Sequence, residues 1–436
     1  MNTLRIVLVV LLCILAVSFI PMVRAVEPAW TYSINESAIS TITVSSDGST
    51  IIVAADTLWI FSKDGTLLKK EPYGDDVVLT PSGRYAVSSF GSNIYFFSTP
   101  LTTGPPDPKQ LTRIWEYECP YPVRSIDITD DGKTVVAATQ GSSIFFITTA
   151  TKDVAGNNEF NNFILRISHD GSRIVGISSD TVRLFSRNGK VSKSYSLGST
   201  NQPGFALLSQ TVPLMVFNDG PIIHSFDLSM GTELWSARPA GTLNSLAMTP
   251  SGSYVVAGTE NGNISRYDDK GNLNWSYSAN RENSQNAGIS KLALSKDGGL
   301  VAAASNEGNV LVLNGRGTLL GSYRVQDQIR NIALSQDGSI LLVVSDKNIY
   351  AFLTGYSSKT PLLDSPRTSD QNITATQTQT SRTVIPTRTK VSVPGTITEL
   401  PTEYSIIRTP TQSPPGLCSG ILALVAGIVL YRARRR

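Results

Sequence analysis

Between residues 27 and 356, the chain alternates short runs of apolar and β-branched residues with turns rich in glycine and polar residues. The clearest stretch, residues 291–323, holds four such runs, separated by turns at 297–298, 306–308 and 315–317. Glycine in these turns supplies the positive φ angles that tight hairpins need. The pattern therefore predicts a four-stranded antiparallel sheet of about 40 residues.

One sequence phrase marks the turn between the first two strands of this unit and recurs along the chain. It reads Ser/Thr-x-Asp/Ser-Gly and occurs at residues 45–48, 80–83, 129–132, 168–171, 249–252, 295–298 and 335–338. Successive copies are about 40 residues apart, except between Gly171 and Gly252, where the step is about twice as long. That double step predicts a degenerate copy near residues 206–226, which makes eight copies in all.

A single sheet of this kind cannot bury both of its faces, so the copies are expected to stack radially. The sequence thus predicts an all-β protein whose residues 26–356 form an eight-bladed β-propeller. A ring of seven is the alternative if one weak repeat is a loop excursion. The last copy lacks a fourth strand, and residues 29–34 resemble the fourth strands at 113–117 and 273–277. The N-terminal strand is therefore predicted to complete the ring, which removes edges that invite aggregation.

Both ends of the chain carry predicted targeting and anchoring sequences instead of repeats. Residues 1–25 hold a basic start, an apolar run and a small residue at the expected cut, Ala25, as a secretory signal peptide requires; a retained anchor is the alternative. Residues 357–415 are rich in Ser, Thr and Pro, which predicts a disordered, O-glycosylated stalk. Residues 416–436, apolar and then arginine-rich, are predicted to be a transmembrane helix or a sorting signal with a basic end.

Charge and cysteine content exclude two classes of protein. The 37 basic and 34 acidic residues give a net charge of +3, and the body of the chain is close to neutral, so no nucleic-acid partner is expected. Cys13 and Cys418 lie in the two terminal apolar runs, which leaves Cys119 alone in the body. The fold is therefore not held together by disulfides.

Candidate catalytic side chains are few. The chain has two histidines, His169 in a turn and His224 in an apolar strand, and both are interpreted as structural residues rather than parts of a triad or metal site. Cys119 has no partner histidine and is interpreted as a packing residue. The sequence therefore predicts no catalytic residue.

Aspartates at 127, 130 and 131 could bind calcium, but this loop lacks the bidentate glutamate that closes an EF-hand, and hairpin chemistry accounts for these residues. Two further carboxylate pairs, at residues 75–76 and 268–269, are adjacent in sequence, which does not direct them at one substrate. The sequence predicts no metal and no cofactor.

Four Asn-x-Ser/Thr sequons for N-glycosylation are present. Asn35, Asn263 and Asn372 are the candidate sites, of which Asn35 lies in a loop and Asn372 in the predicted stalk. Asn274 falls within a predicted strand and is interpreted as a chance match.

Tryptophans recur in the predicted fourth strands, at Trp30, Trp115, Trp235 and Trp275. With the Gly-Asn-Leu-Asn-Trp stretch at 271–275, they resemble the tryptophan-docking repeats of quinoprotein-like propellers, and the Ser-x-Asp-Gly phrase resembles WD40-type repeats. The resemblance covers residues 27–356 and implies the propeller fold, with these tryptophans as structural docking residues. Quinoprotein dehydrogenases hold their quinone under a vicinal cysteine pair, which this chain lacks, so the resemblance implies the fold without the cofactor.

The C-terminal tail carries a second resemblance. Pro415, Gly416 and Leu417, the apolar stretch that follows and the final arginines resemble the sorting tails that archaeosortases recognise. Such tails usually have Phe where this chain has Leu417. The resemblance implies that the helix is removed and the new end is attached to lipid. A retained helix is the alternative, and both place residues 26–415 outside the cell.

Together these features favour a non-catalytic, monomeric propeller displayed at the cell surface. It would bind surface proteins or glycans and contact the membrane through its tail. An extracellular enzyme, acting on polysaccharide or through a quinone, is one alternative, and a scaffold for envelope assembly is another. The enzyme alternative expects a cluster of carboxylates, Arg or Tyr around the central channel.

Overall fold

The computed structural model describes residues 27–356, apart from residues 36, 100–106, 142, 160–163, 179, 198–202 and 282–287. The predicted signal peptide, stalk and C-terminal apolar stretch lie outside the described residues. Within that part of the chain the secondary structure is strand, with two short 3-10 helices at Pro108–Gln110 and Ala279–Arg281. No helix there is both long and apolar enough to cross a membrane.

Antiparallel strands, numbered in chain order from β1 (Trp30–Ser33), form eight sheets in the described residues, which we call blades 1 to 8. Blade 1 contains β2 (Thr41–Val44), β3 (Thr50–Ser62) and β4 (Leu67–Gly74). Blade 2 contains β5 (Asp76–Leu79), β6 (Tyr85–Phe90), β7 (Asn93–Ser98) and β8 (Thr112–Glu118). Blade 3 contains β9 (Val123–Ile128), β10 (Thr134–Thr139), β11 (Ser143–Thr148) and β12 (Val154–Glu159). Blade 4 contains β13 (Ile164–Ile167), β14 (Ile174–Ile177), β15 (Thr181–Phe185) and β16 (Val191–Ser196).

The remaining blades follow the same order, with each strand paired to the next in the chain. Blade 5 contains β17 (Ala206–Leu208), β18 (Leu214–Asp219), β19 (Ile222–Asp227) and β20 (Thr232–Ala237). Blade 6 contains β21 (Leu243–Met248), β22 (Tyr254–Thr259), β23 (Asn263–Asp268) and β24 (Leu273–Ser278). Blade 7 contains β25 (Ile289–Leu294), β26 (Leu300–Ser305), β27 (Asn309–Asn314) and β28 (Leu319–Arg324). Blade 8 contains β29 (Ile329–Leu334), β30 (Ile340–Ser345), β31 (Asn348–Leu353) and β1.

Blade 5 is the degenerate copy that the double step predicts. In its first turn, Ser209 is followed by Gln210, Thr211 and Val212, with no aspartate and no glycine. The Ser209 hydroxyl instead donates a hydrogen bond to the carbonyl oxygen of Pro250 in blade 6, at 3.1 Å. A turn that is anchored on the next blade keeps its place without the glycine of the other copies. The prediction of eight blades is confirmed, and the seven-bladed alternative is wrong.

Blade 1 differs from the others because a single 13-residue element, β3, lies between its first and last strands. Residues up to Ala54 pair with β2, and residues from Asp56 pair with β4. Asp56 stands at this division with a φ of 56°, in the left-handed region that is uncommon for residues other than glycine. The two halves of β3 thus supply the pairing that the second and third strands supply in the other blades.

The ring closes through β1, which is the fourth strand of blade 8. It pairs antiparallel with β31, with Trp30 opposite Ala351. A backbone hydrogen bond from Ile34 N to Lys347 O, at 2.7 Å, extends the pairing by one residue. The predicted closure by the N-terminal strand is confirmed.

The hydrophobic core of the described chain is divided into eight clusters of buried residues, one between each pair of neighbouring blades. Second strands contribute small residues to both sides. In β26, Ala302 and Ala304 pack towards blade 8 and Ala303 packs towards blade 6, and all three are fully buried. These slim side chains let neighbouring sheets approach closely. Since each blade is covered only by its neighbours, the stability of the ring depends on every interface.

Deleting residues 27–34 should expose the edge of β31 and open the core between blades 8 and 1. Ile34 is fully buried there, and losing even one such side chain to alanine typically costs about 2–5 kcal/mol. We expect a lower midpoint of thermal unfolding and self-association through the unpaired edge, measured by circular dichroism and sedimentation velocity. The control Thr31→Ala, on the exposed side of β1, should change neither. A truncated chain that stays monomeric with an unchanged midpoint would contradict the closure.

Candidate functional site

The Ser/Thr-x-Asp/Ser-Gly turns are held together by their own side chains. The opening hydroxyl is buried and accepts a hydrogen bond from the backbone N–H five residues on; in blade 7, Leu300 N donates to Ser295 Oγ at 2.9 Å. The same hydroxyl donates to the third residue, as Ser295 does to Asp297 Oδ1 at 2.7 Å. The glycine in the fourth position has a positive φ, 66° at Gly298. Three of the four positions therefore serve the turn itself.

The second position is the variable one. From blade 1 to blade 8 it is occupied by Ser46, Pro81, Asp130, His169, Gln210, Pro250, Lys296 and Gln336. Backbone hydrogen bonds join these residues across neighbouring blades, namely Ser46 N to Pro81 O, Asp130 N to His169 O, Gln210 N to Pro250 O and Lys296 N to Gln336 O, at 2.7–2.8 Å. We call this ring of eight residues the collar. Its backbone is fixed by the blades, so its side chains can vary without disturbing the fold.

The collar surrounds a cavity of about 830 Å³ at the mouth of the central channel. Second-position side chains of blades 3 to 8 line it, together with the turn aspartates Asp131, Asp170 and Asp297. With Asp130 these make four carboxylates, against one lysine and one histidine. The mouth is thus an open cavity of net negative charge, in the size range of ligand-binding pockets.

Asp130 is the carboxylate of this mouth that its own turn does not use. Its Oδ2 lies 3.2 Å from Nδ1 of His169, and its Oδ1 is buried without a hydrogen-bond partner. Burial, reinforced by the charges of Asp127, Asp131 and Asp170, raises the pKa of Asp130 to about 6. The turn aspartates behave in the opposite way, since the hydroxyl of Ser168 and further donors lower the pKa of Asp170 to about 2. Ionised Asp130 therefore carries an uncompensated charge at neutral pH.

Below the mouth, one side of the channel is charged. Asp127 on β9 and Arg166 on β13 lie there, and burial raises the pKa of Asp127 to about 6, although the Arg166 charge opposes the rise. Both oxygens of Asp127 accept backbone hydrogen bonds, from Ile128 N at 2.9 Å and Ile167 N at 3.1 Å. This carboxylate is thus held in place by two backbone N–H groups. The equivalent positions of blades 6, 7 and 8 are Ala247, Ala293 and Ala333.

Three other carboxylates weighed from the sequence have structural partners. Asp131, a candidate calcium ligand, accepts a hydrogen bond from Thr129 Oγ1 at 2.7 Å. Asp75 Oδ2 accepts from Gly91 N, whereas Asp76 Oδ1 accepts from Val77 N, so this pair does not face one substrate. Within the described part of the chain, no group of three or more His, Cys, Asp or Glu side chains is placed to hold a metal ion.

The two histidines and the cysteine lie in different surroundings. His224 stacks on Phe217 with ring centres 5.2 Å apart, and its Nδ1 lies 3.2 Å from Glu233. Cys119 is buried, and burial raises the pKa of its thiol to about 12, so little thiolate forms at neutral pH. His169 lies in the collar, where burial lowers its pKa. The sequence placed His169 in a turn but did not show that this turn faces a cavity.

The four fourth-strand tryptophans make one recurring contact. Each indole N–H donates to a carbonyl oxygen in the turn between the third and fourth strands of the next blade: Trp30 to Lys63, Trp115 to Thr149, Trp235 to Asp269 and Trp275 to Gly315, at 2.9–3.0 Å. The rings of three of them lie against turn glycines, Gly65, Gly271 and Gly317, so closely that a Cβ there would come within 2.8 Å of the ring. In blade 4, Tyr195 makes the equivalent contact, with its hydroxyl 3.1 Å from Leu228 O.

Comparison of the sequence with protein families also identifies a repeat protein. The family model described as outer membrane protein assembly factor BamB matches residues 178–397, about half of the 436-residue chain. The chain belongs to this family. The matched residues include two of the four docking tryptophans, Trp235 and Trp275. The chain matches none of the curated proteins with which it was compared.

Solved structures show the same architecture at low sequence identity. Sqt1 of Chaetomium thermophilum, bound to the N-terminus of the ribosomal protein L10, is 13% identical and has a TM-score of 0.62, covering 75% of this chain and 100% of that one. The C-terminal WD40 domain of Sif2 is 12% identical and has a TM-score of 0.63, with 76% and 99% covered. At this identity the likeness is one of fold alone, and it supports the WD40-like propeller.

The predicted glycosylation sites differ in accessibility. Asn35 is exposed in the loop after β1. Asn263 is half-buried at the start of β23, and its Nδ2 donates to Ala240 O at 3.0 Å. Asn274 is exposed on β24. Asn372 and the sorting motif at 415–417 lie outside the described residues.

The collar was not predicted from the sequence, although a signal for it is present. Alignment of the phrases on their fixed Ser/Thr and Gly isolates the second position as the one that varies in charge and size. Because all eight turns occupy the same end of their blades, their variable positions converge on one ring. That convergence requires the closed propeller, and no single copy of the repeat reveals it.

Replacing Trp115 with Phe should destabilise the propeller more than replacing Trp59 with Phe. Both side chains are at least 96% buried, but Trp59 Nε1 has no hydrogen-bond partner, whereas Trp115 Nε1 donates to Thr149 O. We expect the extra cost for Trp115→Phe to be about 1 kcal/mol, the net value of one hydrogen bond, in urea unfolding followed by far-ultraviolet circular dichroism. Equal losses for the two variants would show that the indole bond between blades contributes nothing.

Replacing Asp130 with Asn should stabilise the protein at pH 7.5 and leave its stability unchanged near pH 4. A folded-state pKa raised to about 6, from the ordinary value of 3.8, means that stability falls as pH rises between these values, and Asn removes that fall. Because Asp130 is partly exposed, solvent screening limits the gain to about 1 kcal/mol. Thermal unfolding at both pH values measures it.

The neighbouring substitution Asp131→Asn is the matched control and should have the opposite sign. Hydrogen bonds from Thr129 and Lys133 outweigh burial and lower the pKa of Asp131, so its charge stabilises the folded state at neutral pH. A loss of stability for Asp130→Asn at pH 7.5 would contradict the assignment of an uncompensated charge to Asp130.

Proposed function

We propose that this protein is a non-catalytic binding platform, exported to the cell surface, which holds a segment of a partner protein at the mouth of its channel. The observation that carries the proposal is the cavity within the collar. It is lined by the variable residue of a turn whose other three residues serve the fold. A repeat that keeps its turn chemistry and varies one inward position leaves that position available for recognition.

The chemistry of the mouth favours a cationic segment. Asp130 carries an uncompensated charge and a buried oxygen without a hydrogen-bond partner, beside the exposed carboxylate of Asp170. A guanidinium or ammonium group placed there would gain charge-assisted hydrogen bonds and relieve the repulsion among these aspartates. Gln336 adds an amide donor and acceptor that can bind the backbone of an extended peptide, whereas the Gln210 amide already accepts from His169 N and donates to Leu208 O.

Two further considerations support a protein partner. The structure of Sqt1 contains the N-terminus of another protein, so a propeller of this architecture can bind a chain segment. Both carboxylate oxygens of Asp127, on the charged side of the channel, accept hydrogen bonds from backbone N–H groups, which favours binding over catalysis at this residue. Export rests on the predicted signal peptide at 1–25, and surface attachment rests on the predicted tail at 416–436.

A scaffold for envelope assembly is the second candidate, favoured by the description of the family as an assembly factor for outer membrane proteins. Both candidates are binding functions and use the same ring. They differ in the partner, which is a resident surface protein for display and an envelope protein under assembly for the scaffold.

Titration with peptides tests the binding site. By isothermal titration calorimetry at pH 7.5 and low salt, a ten-residue arginine-rich peptide should bind, and a glutamate-rich peptide of the same length should not. Asp130→Asn should weaken the binding about tenfold, which corresponds to about 1.4 kcal/mol. The control Glu118→Gln removes an exposed carboxylate on the outer strand β8 and should leave affinity unchanged. Unchanged affinity of Asp130→Asn, or binding of the acidic peptide, would refute the site.

Cross-linking in the native cell separates the two candidate functions. A photoreactive amino acid in place of Gln336, within the collar, should capture the partner, whereas one in place of Leu320, on the outer strand β28, should not. Capture of a mature surface protein supports display, and capture of a newly exported envelope protein supports the scaffold. Equal capture from both positions would place the binding surface elsewhere.

A further inference from the structure

We propose that Asn274 carries an N-linked glycan, which covers the outer edge strand of blade 6. The sequon Asn274-Trp275-Ser276 lies within β24, a position that the sequence analysis interpreted as a chance match. The proposal rests on export to the cell surface, which is part of the proposed function. It assigns a modification to a residue of the propeller itself.

The local backbone presents the Asn274 side chain to solvent. In the pairing of β24 with β23, Trp275 lies opposite Arg266 and Leu273 lies opposite Tyr267, so Asn274 is the extra residue of a β-bulge. It has no partner across the sheet, and its side chain is exposed to solvent. Asn274 and Ser276 are both exposed, while the Trp275 indole between them docks on the Gly315 carbonyl of blade 7.

The same bulge recurs in other blades, and its extra residue is solvent-exposed in blades 2, 5 and 7, whereas Leu68 of blade 1 is partly buried. Ile114 in blade 2, Leu234 in blade 5 and Leu320 in blade 7 occupy this position and are 56%, 49% and 48% exposed. Exposure at this position in these blades therefore does not depend on an asparagine side chain. Blade 6 places the acceptor of a sequon where these blades place an apolar side chain.

The sequon at Asn263 shows the contrast. Asn263 is half-buried, and its Nδ2, the atom that a glycan would occupy, donates to Ala240 O at 3.0 Å. Ser265 is 4% exposed, so an enzyme cannot reach the third residue of that sequon in the folded protein. Of the two sequons in blade 6, the one at Asn274 is accessible to a glycosylating enzyme in the folded propeller, and the one at Asn263 is not.

The reaction needs an oligosaccharide donor linked to a lipid phosphate. The Asn274 Nδ2 attacks the anomeric carbon, a carbon–nitrogen bond forms, and the bond from that carbon to the phosphate oxygen breaks. The amide nitrogen loses one proton, and the lipid phosphate leaves with the electron pair. No oxidation or reduction takes place.

A glycan at this position would protect an unpaired edge. β24 is the outermost strand of blade 6, with free backbone groups along one side and with Leu273 56% exposed. Such edges pair readily with strands of other molecules, and a bulky hydrophilic substituent prevents this contact. The glycan thus keeps the outer rim of blade 6 in solution while the collar remains open.

Peptide mapping by mass spectrometry of the protein from its native source tests the proposal. The peptide that contains Asn274 should carry a glycan mass, and the peptide that contains Asn263 should be unmodified. Both Asn274→Gln and Ser276→Ala should remove that mass, since either breaks the sequon, whereas Asn263→Gln should leave the total glycan mass unchanged. An unmodified Asn274 in a protein from which residues 1–25 are absent would overturn the glycan and leave export standing.

The same map separates this inference from the proposed function. Retention of residues 1–25 together with unmodified sequons throughout would overturn export and the glycan together. A glycan on Asn263 would also overturn the inference, because it would mean that modification precedes folding and ignores the geometry of blade 6.

Discussion

A four-stranded blade has two apolar faces, and each face must be covered by another blade. The structure meets this constraint by closing a ring, with one buried cluster between each pair of neighbours in the described chain. Tryptophan docking adds a directional bond, in which an indole N–H holds the outer turn of the next blade. Trp30 makes the closing contact, on the Lys63 carbonyl of blade 1. The ends of the repeat array are thereby joined by the interaction that links its interior blades.

Within this ring, some residues of a turn stabilise the fold, while another residue of the same turn faces the cavity. At residues 129–132, Thr129, Asp131 and Gly132 form the turn, and Asp130 projects into the cavity. Adjacent aspartates consequently have opposite pKa shifts, because burial and neighbouring carboxylates dominate at Asp130, whereas hydrogen bonds from Thr129 and Lys133 outweigh burial at Asp131. A charge that destabilises the free protein is typical of a site that a ligand completes.

Much of the fold could be predicted from the sequence, because the constraint is local and repeated. Glycine turns gave seven copies, the double step indicated blade 5, and Trp30 indicated the closing strand. The collar could not be predicted, because its residues lie in different copies and converge only in the closed ring. Asn274 was interpreted as a strand residue, which is correct, but its exposure depends on the register between β23 and β24. Register across strands is not visible in one strand's sequence.

The central claim is that Asp130 holds an uncompensated charge in a cavity made for a cationic segment. Carboxyl-carbon nuclear magnetic resonance of the propeller, labelled at aspartate, follows Asp130 through pH with and without the arginine-rich peptide. The account predicts that Asp130 titrates near pH 6 in the free protein and at clearly lower pH in the complex, because a bound cation favours the ionised form. Titration of Asp130 near its ordinary pKa, or no change when the peptide is added, would contradict it.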